Sequence, residues 1–237
     1  MAIERNPNPR LTRRRRRIGR TTGSIEPRSD LAATWDRVRV RNLRLAEKGH
    51  GPEPLDVRSP MIRGLRSFIR DRGIRKIIDV SCGDMDWWPL VLGDAPAGSL
   101  LFRGYDISPN IVRANRIRFA DREDWSFEMG DARFHNFPEA DLIVCRRTMN
   151  HLWSGDAAAI KKNIGRKAHL VALTHDPTVR ANPPDGMRYA IATDCPRATP
   201  FTAMNMRRPP FMPMPMVHAI DDEDDQLLAF FPGRAFS

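Results

Sequence analysis

The segment at residues 77–84 reads IIDVSCGD, and it decides how this chain folds. Its first four residues are apolar except for Asp79, which is the composition of a short buried strand. Ser81, Cys82 and Gly83 follow at once, and small residues beside a glycine form a tight turn that lets a ligand approach the backbone closely. The segment therefore predicts a buried strand that runs directly into a ligand-binding turn.

A second acid lies about one strand–helix unit further along the chain. The β-prone run at 101–105 ends at Asp106. The carboxyl ends of parallel strands meet at one edge of a sheet, where an acid can accept hydrogen bonds from ribose hydroxyls. The glycine turn by itself is a weak signal, because Ser81 and Met85 replace the first and third glycines of the usual pattern. Its spacing to Asp106 strengthens the signal, and together they predict a nucleoside site.

The rest of the chain alternates between predicted strands and helices. Ser59 and Ser108, each followed by proline, are predicted to cap helices before the first strand and after the second. Such alternation predicts parallel pairing with right-handed crossovers. The acidic block at 221–225 is interpreted as a solvated loop. Seven runs are predicted as strands, at 76–80, 100–105, 125–128, 141–145, 169–173, 201–206 and 227–231.

Positive charge is concentrated at the amino end. The chain has 39 basic and 29 acidic residues, and residues 1–20 contribute eight arginines and one glutamate to the net charge of +10. Residues 1–30 have few large apolar side chains, so burial cannot offset the entropy of ordering them, and we predict a disordered tail. Its arginines at 10–20 predict non-specific binding of polyanions, without identifying a nucleic-acid substrate.

The composition also argues against several classes of protein. No apolar run approaches the ~20 residues that cross a bilayer, and the arginines at 13–17 precede no apolar signal segment, so we expect a cytoplasmic protein without membrane contact. Cys82, Cys145 and Cys195 are few and far apart, which predicts reduced thiols and no cysteine zinc site. The methionines at 204–216 could ligate copper, but the prolines among them favour an extended segment beside an apolar pocket. We predict no metal.

Five of these segments resemble motifs of class I S-adenosylmethionine-dependent methyltransferases. Residues 79–84 are similar to the DxxCGD turn of one divergent branch, and YDISP at 105–109 is similar to its second-strand segment. The runs 129–132 and 141–152 resemble its third-strand acid and its fourth strand with the HL turn that follows. NMRRPPF at 205–211 is similar to its N(L/M)xxPPF run.

The resemblance covers roughly residues 60–235 and implies a fold. The implied domain is α/β, Rossmann-like and doubly wound, with a seven-stranded, mostly parallel sheet and an antiparallel last strand. Three parts of the chain are then expected: a disordered Arg-rich tail at 1–30, an N-terminal lid segment at 31–58 and the methyltransferase domain at 59–237.

The resemblance also implies an activity and a set of site residues. S-adenosylmethionine is the implied cofactor. The methyl acceptor is unidentified and could be a small molecule or a glycan. One of Trp87 and Trp88 is expected at the site. Two alternatives stay open: the cysteines could be packing residues, and Asp79 could have no role except capping its turn. The implied cofactor-binding residues lie at the ends of the first four strands: Asp79, Ser81, Cys82, Gly83, Asp106, Ile107, Gly130, Asp131, Ala132 and Cys145.

Two histidines are candidates for a general base. Methyl transfer from a sulfonium mainly requires alignment of the acceptor, but a neutral acceptor can also need a base. His151 follows the fourth predicted strand and is the first candidate, and His175 at the end of the fifth is the second. Each could equally be a packing or capping residue.

Two other functions stay open at this point. One is a nucleic-acid methyltransferase recruited by the basic tail, although a (D/N)PPY motif is absent and HDPT at 175–178 is only distantly similar. The other is a non-catalytic domain that binds the cofactor or a partner, which the irregular glycine motif allows. No oligomeric state is predicted.

Deletion of residues 1–28 tests the tail prediction. We expect the shortened protein to fold and to bind the cofactor like the full chain, because this segment has few apolar groups to bury. Binding to DNA, titrated at several salt concentrations, should weaken and lose its salt dependence because phosphate contacts are lost. Unfolding of the shortened protein, or an unchanged salt slope, would contradict the prediction.

Overall fold

The structure is a computed structural model. It describes residues 32–33, 36–37, 39–40, 55–93, 95–152, 154–182, 203–209, 211, 215–222 and 225–233. The predicted tail at 1–30 and Cys195 lie outside these residues. The described residues between 32 and 40 are helical.

The strands form one sheet in the order β3-β2-β1-β4-β5-β7-β6. Neighbours among β1 to β5 pair in parallel, whereas β7 runs antiparallel to both β5 and β6. The predicted seven-stranded α/β sheet with an antiparallel last strand is confirmed. The strands are β1 (Lys76–Asp79), β2 (Leu101–Asp106), β3 (Trp125–Met129), β4 (Ala140–Cys145), β5 (Ala168–His175), β6 (His218–Asp221) and β7 (Leu227–Pro232).

The helices begin close to the predicted caps. Ser108 caps its helix, because its Oγ accepts the N–H of Ile111 at 3.2 Å. Ser59 precedes a helix as predicted, but its side chain makes no capping hydrogen bond. No helix among the described residues is long and apolar enough to cross a membrane. The helices are α1 (Pro60–Asp71), α2 (Trp88–Leu92), α3 (Pro109–Arg118) and α4 (Ser154–Gly165), with a 3-10 turn at Met149–His151.

Two apolar clusters cover the two faces of the sheet. Successive side chains of a strand point to opposite faces. In β4, Leu142 and Val144 pack with α1, α2 and α3, whereas Ile143 and Cys145 pack with α4. A strand buried on both faces must be apolar along its whole length, which is usual in parallel sheets. This is the physical reason for the continuous apolar runs in the sequence.

One predicted strand is wrong. The described part of the run 201–206, residues 203–206, forms no strand, and the penultimate strand is His218–Asp221. Met204 and Met206 are fully buried, so the apolar character of the run reflects tertiary packing. β6 escapes prediction because its four residues include a histidine and an aspartate and follow a Pro-rich stretch, which weakens any β-prone pattern.

The carboxyl ends of four parallel strands meet at one edge of the sheet, which we call the carboxyl edge. The last residues of β1, β2, β4 and β5 are Asp79, Asp106, Cys145 and His175. All four are buried. Doubly wound sheets bind their ligands at this edge, so the topology places four of the predicted site residues where a ligand would lie.

Candidate functional site

Asp79 joins the turn after β1 to the helix that follows it. Its Oδ1 accepts the backbone N–H of Ser81 at 3.0 Å, and its Oδ2 accepts the indole N–H of Trp88 at 2.6 Å. Trp88 is fully buried at the start of α2. These are the contacts of an acid that organises the turn, and its contact with a ligand stays a prediction.

Both backbone polar groups of Gly83 are hydrogen-bonded, and the space beside its Cα is open. Its φ is 54°, and a Cβ built on it would meet no atom of the described residues within 4 Å. The N–H of Gly83 donates to Oδ2 of Asp106 at 3.2 Å. The carbonyl of Gly83 accepts Nδ2 of Asn115, in α3, at 2.7 Å. The turn is therefore tied to β2 and α3, and space remains for a ligand beside the backbone.

The two strand-end acids share an electrostatic environment. Oδ1 of Asp106 also accepts the N–H of Ser108 at 2.9 Å. Burial raises the pKa of Asp79 to about 6, although the hydrogen bond from Trp88 opposes it. Burial likewise raises the pKa of Asp106 to about 6 against the backbone hydrogen bonds that it accepts. Perturbed groups in one place are typical of functional sites.

Gly130 lets the chain after β3 pass close to β2. Its N–H donates to the carbonyl of Asp106 at 3.0 Å. A Cβ on Gly130 would lie 3.0 Å from the Tyr105 ring and 3.1 Å from the His135 ring. A larger residue would push these rings apart. Glycine at this position therefore lets the turn after β3 pack closely against the end of β2.

Asp131 is oriented by an arginine. Nη2 of Arg133 lies 2.6 Å from Oδ2 of Asp131, and its Nη1 lies 3.2 Å from Oδ1 of Asp156 in α4. Burial raises the pKa of Asp131, but the hydrogen bonds from Arg133 outweigh it, so the pKa is lowered. Ala132, between the two, is buried. Arg133 therefore links the turn after β3 to α4. The contact of Asp131 with adenine stays a prediction.

Cys82 and Cys145 have the properties of packing residues. Burial raises the pKa of Cys82 well above its ordinary value and that of Cys145 to about 12. A thiol that stays protonated is a poor nucleophile. A Cβ on Gly104, in β2, would lie 2.9 Å from the sulfur of Cys82, so this cysteine fills the space that the glycine leaves. A cofactor contact for either cysteine stays a prediction.

Thr148 belongs to the site but has no signal in the sequence. Its Oγ1 donates to Oγ of Ser81 at 2.5 Å, which joins the loop after β4 to the first turn. Arg147, with φ 54°, donates its N–H to Oγ1 of Thr174 at 2.7 Å, which joins the same loop to β5. A hydroxyl in a loop is common, and only the pairing of β4 with β1 and β5 brings these groups together.

His151 and His175 lie in different environments. His151 is half-buried, and its backbone N–H donates to the carbonyl of Thr148 at 3.0 Å. His175 is 2% exposed, and its Nδ1 accepts the N–H of Met206 at 3.0 Å. Burial, followed by the charge of Arg207, lowers the pKa of His175. Its neutral tautomer therefore carries the proton on Nε2 and has no ring lone pair left for a second proton. The hydrogen bond from Met206 disfavours His175 as a base, and the role of His151 stays a prediction.

Arg146 and Asp222 form a buried ion pair that no local sequence pattern indicates. Nε and Nη2 of Arg146 lie 2.9 and 2.6 Å from the two carboxylate oxygens. The Asp222 side chain is fully buried, so the interpretation of 221–225 as a solvated loop is wrong for this residue. The guanidinium lies 5.5 Å from the ring of Trp87, which stacks on Trp88 at 4.2 Å. Trp87 is thus the tryptophan that faces these charges.

The described residues of the N-terminal segment contact two of the site turns. Asp36 accepts hydrogen bonds from Oγ of Ser108 and, at 2.8 Å, from Nδ2 of Asn110. Nε of Arg39 donates to Oδ1 of Asp84 at 2.6 Å. Ser108 and Asn110 lie at the start of α3, directly after the turn that follows β2, and Asp84 lies in the turn after β1. The segment thereby spans both turns.

Solved structures with a similar chain path include methyltransferases. The N-terminal domain of EvdMO1, in the presence of SAH and D-fucose, has a TM-score of 0.54 and 12% identity, over 78% of this chain and 85% of that chain. The methyltransferase domain of bacterial CtHen1 has a TM-score of 0.44 and 17% identity, over 50% of this chain and 66% of that chain. Magnesium protoporphyrin IX methyltransferase (ChlM) from Synechocystis PCC 6803, with bound SAH, has a TM-score of 0.45 and 14% identity, over 64% and 70%.

The sheet order and the match to EvdMO1 determine the fold. It is that of class I S-adenosylmethionine-dependent methyltransferases. This chain spans just under two thirds of the length of the CtHen1 domain. No family model matches the sequence, and no curated protein matches it. At these identities the similarity concerns the fold.

Replacing Asp79 by asparagine tests the raised pKa of a buried carboxyl. Between pH 3.8 and about 6 the folded chain binds more protons at Asp79 than the unfolded chain, so the free energy of unfolding falls as pH rises. Asparagine does not titrate. Between about pH 4 and about pH 7, the free energy of unfolding of wild type should therefore fall by roughly 2 to 3 kcal/mol more than that of Asp79→Asn.

Urea unfolding at several pH values measures this difference. Asp71→Asn, an exposed change at the end of α1, is the control and should follow the wild-type pH dependence. Parallel pH curves for wild type and Asp79→Asn would contradict the prediction.

Proposed function

We propose that this protein transfers a methyl group from S-adenosylmethionine to an unidentified acceptor, such as a small molecule or a glycan. One observation carries the proposal: Asp106, at the end of β2, accepts the N–H of Gly83, in the open turn after β1. A buried acid beside an open glycine turn is the arrangement that binds a nucleoside at the carboxyl edge of a doubly wound sheet. The fold shared with EvdMO1, crystallised with SAH, supports it.

The residues at the carboxyl edge fit this cofactor. A carboxylate accepts about four hydrogen bonds, and among the described residues Asp106 accepts two, from Gly83 and Ser108. Its oxygens can therefore also accept the ribose hydroxyls. When bound, the cofactor supplies a methyl group activated by its sulfonium. Ile107 is half-buried directly after the acid and offers an apolar contact for the adenine.

We assign the parts of the cofactor to four turns. The turn of Asp79, Ser81, Cys82 and Gly83 would hold the methionine part. Asp106 and Ile107 would hold the ribose and one side of the adenine. Gly130, Asp131 and Ala132 would hold the adenine edge, and Cys145 would pack beneath the reacting end. The hydrogen bond between Ser81 and Thr148 supports this arrangement, because it joins the first and fourth turns.

His151 is the proposed general base. The loop after β4 lies between β1 and β5, where the acceptor must line up with the methyl group, and alignment accounts for most of the rate. The imidazole would take the proton of the acceptor oxygen or nitrogen as the new bond forms. His175 is the second candidate, and the hydrogen bond from Met206 to its Nδ1 argues against it.

Residues 31–58 are proposed to form a lid and 59–237 the catalytic domain. The hydrogen bonds of Asp36 and Arg39 support the lid, because they connect it to the two turns that would hold the cofactor. A lid that excludes water strengthens the electrostatic contacts inside a site.

Asp106→Ala tests the cofactor site. The variant should bind S-adenosylhomocysteine (SAH) more weakly by roughly 1 to 3 kcal/mol, because ribose hydroxyls lose their acceptor in a buried site. Calorimetry measures the affinity. Asp121→Ala removes an exposed acid after α3 and should leave it unchanged. Equal affinities of folded Asp106→Ala and wild type would contradict the assignment.

His151→Ala tests the general base. We expect kcat to fall by about 10²-fold and the dissociation constant of SAH to stay nearly unchanged, because the base acts on the acceptor. His169→Ala, an exposed change in β5, is the control. The measurement is a pH–rate profile with the acceptor that the next experiment identifies. Superimposable profiles of wild type and His151→Ala would remove this residue from the mechanism.

A methyl-release assay tests the activity as a whole. Wild-type protein is incubated with radiolabelled S-adenosylmethionine and with pools of small molecules, glycans and nucleic acids. Transfer to a small molecule or glycan is expected. Transfer to nucleic acid alone would support recruitment by the basic tail, and SAH binding without transfer to any pool would indicate a non-catalytic domain.

A further inference from the structure

We propose that the methyl acceptor carries an oxyanion group, a phosphate or a carboxylate, that binds to Arg207 and Arg208 with Arg180 beside them. The inference rests on the proposed methyl transfer, since it names the class of acceptor for the same site. Three features carry it: a turn that amide side chains hold in place, arginines that have no acidic partner among the described residues, and the position of the turn at the end of β5.

Two asparagines hold the turn at residues 205–209. Nδ2 of Asn182 lies 2.8, 3.0 and 2.9 Å from the carbonyls of Asn205, Arg208 and Pro209. Its Oδ1 accepts the N–H of Asn205 at 2.7 Å. Oδ1 of Asn205, which is 6% exposed, accepts the N–H of Arg207 at 3.0 Å. The backbone that carries both arginines is therefore fixed by side-chain hydrogen bonds from Asn182 and Asn205.

The same contacts place a third arginine next to the turn. Nδ2 of Asn205 donates to the carbonyl of Val179 at 2.8 Å, and Arg180 is the next residue. Arg180, Arg207 and Arg208 are all exposed. A fixed backbone under exposed guanidinium groups lowers the entropy lost when they bind a ligand.

These three arginines differ from others near the site. Within the described parts of the chain, Arg180, Arg207 and Arg208 form no ion pair. Asp176 lies on the same loop, but its Oδ1 accepts the N–H and the hydroxyl of Thr178 at 2.9 and 2.6 Å. Other arginines around the carboxyl edge have acidic partners, namely Arg39 with Asp84, Arg133 with Asp131 and Arg146 with Asp222.

The turn lies one strand away from the proposed base. Met206 donates its N–H to Nδ1 of His175, the last residue of β5. The neighbouring strand β4 leads into the loop of His151, and Arg147 in that loop donates to Thr174 of β5. The charge of Arg207 adds to burial in lowering the pKa of His175, so its positive field reaches this edge.

The chemistry of the cluster selects an oxyanion on a small molecule. A guanidinium presents two parallel N–H groups that match two oxygens of a phosphate or a carboxylate. Three such groups around one turn suit one or two anionic groups. A nucleic-acid backbone instead spreads its phosphates along an extended track and needs a row of cations.

Calorimetry of the full chain with pyrophosphate and with malonate tests the inference, in titrations with and without SAH. Wild-type protein should bind pyrophosphate if the acceptor carries a phosphate, and malonate if it carries a carboxylate. Arg207→Ala combined with Arg208→Ala should weaken that binding roughly tenfold or more, because charge-assisted hydrogen bonds are lost. Arg113→Ala combined with Arg166→Ala removes the same charge from exposed positions in α3 and next to α4 and should bind like wild type.

Three results would overturn the inference: wild-type protein that binds neither anion, a control that loses as much affinity as the test variant, or tighter binding of a short oligonucleotide through the same arginines. A separate titration with SAH distinguishes failure of this inference from failure of the proposed function. Absence of SAH binding contradicts methyl transfer, whereas the anion titrations without SAH still decide whether the arginines bind an oxyanion.

Discussion

The hydrogen bonds around Gly83 are the constraint on which the rest of the site depends. Asp106 accepts its N–H, and Asn115 donates to its carbonyl, so the ends of β1 and β2 and the body of α3 hold one turn. Asp79 fixes the start of the same turn through Ser81. An apolar residue in place of either acid would leave backbone donors without their partners, which destabilises a folded chain. The arrangement of the turn is therefore determined before any ligand arrives.

Two buried carboxyls at the ends of neighbouring strands make this edge electrostatically unfavourable. A pKa raised from 3.8 to about 6 corresponds to roughly 3 kcal/mol against ionisation of each group in the folded chain. Stability alone does not explain acids at Asp79 and Asp106. Proteins place such groups where a ligand or a reaction needs them, and a cofactor that donates hydrogen bonds to Asp106 would favour its ionised form.

The opposite half of the carboxyl edge is organised by neutral amides and by a neutral imidazole. His175 accepts the N–H of Met206, and Asn182 and Asn205 hold the turn that follows. Buried amides and imidazoles can satisfy backbone groups without burying charge. The positive charge of the turn at 205–209 lies on the exposed Arg207 and Arg208, where it can meet a ligand. The two halves complement each other, with acids at the proposed cofactor turns and guanidinium groups at the proposed acceptor turn.

The strands β1 to β5, the helices that begin after Ser59 and Ser108, and the positions of Asp79 and Asp106 at strand ends could all be predicted from the sequence. Apolar periodicity, helix caps and glycine turns depend on near neighbours along the chain. The position of β6 at His218–Asp221 and the buried pairing of Asp222 with Arg146 depend on contacts between distant parts of the chain. The hydrogen bond from the N–H of Met206 to Nδ1 of His175, which disfavours this histidine as a base, is also a contact between distant residues. Arg146 and Asp222 are 76 residues apart. A contact of that range leaves no local pattern, because it exists only once the sheet has brought its strands together.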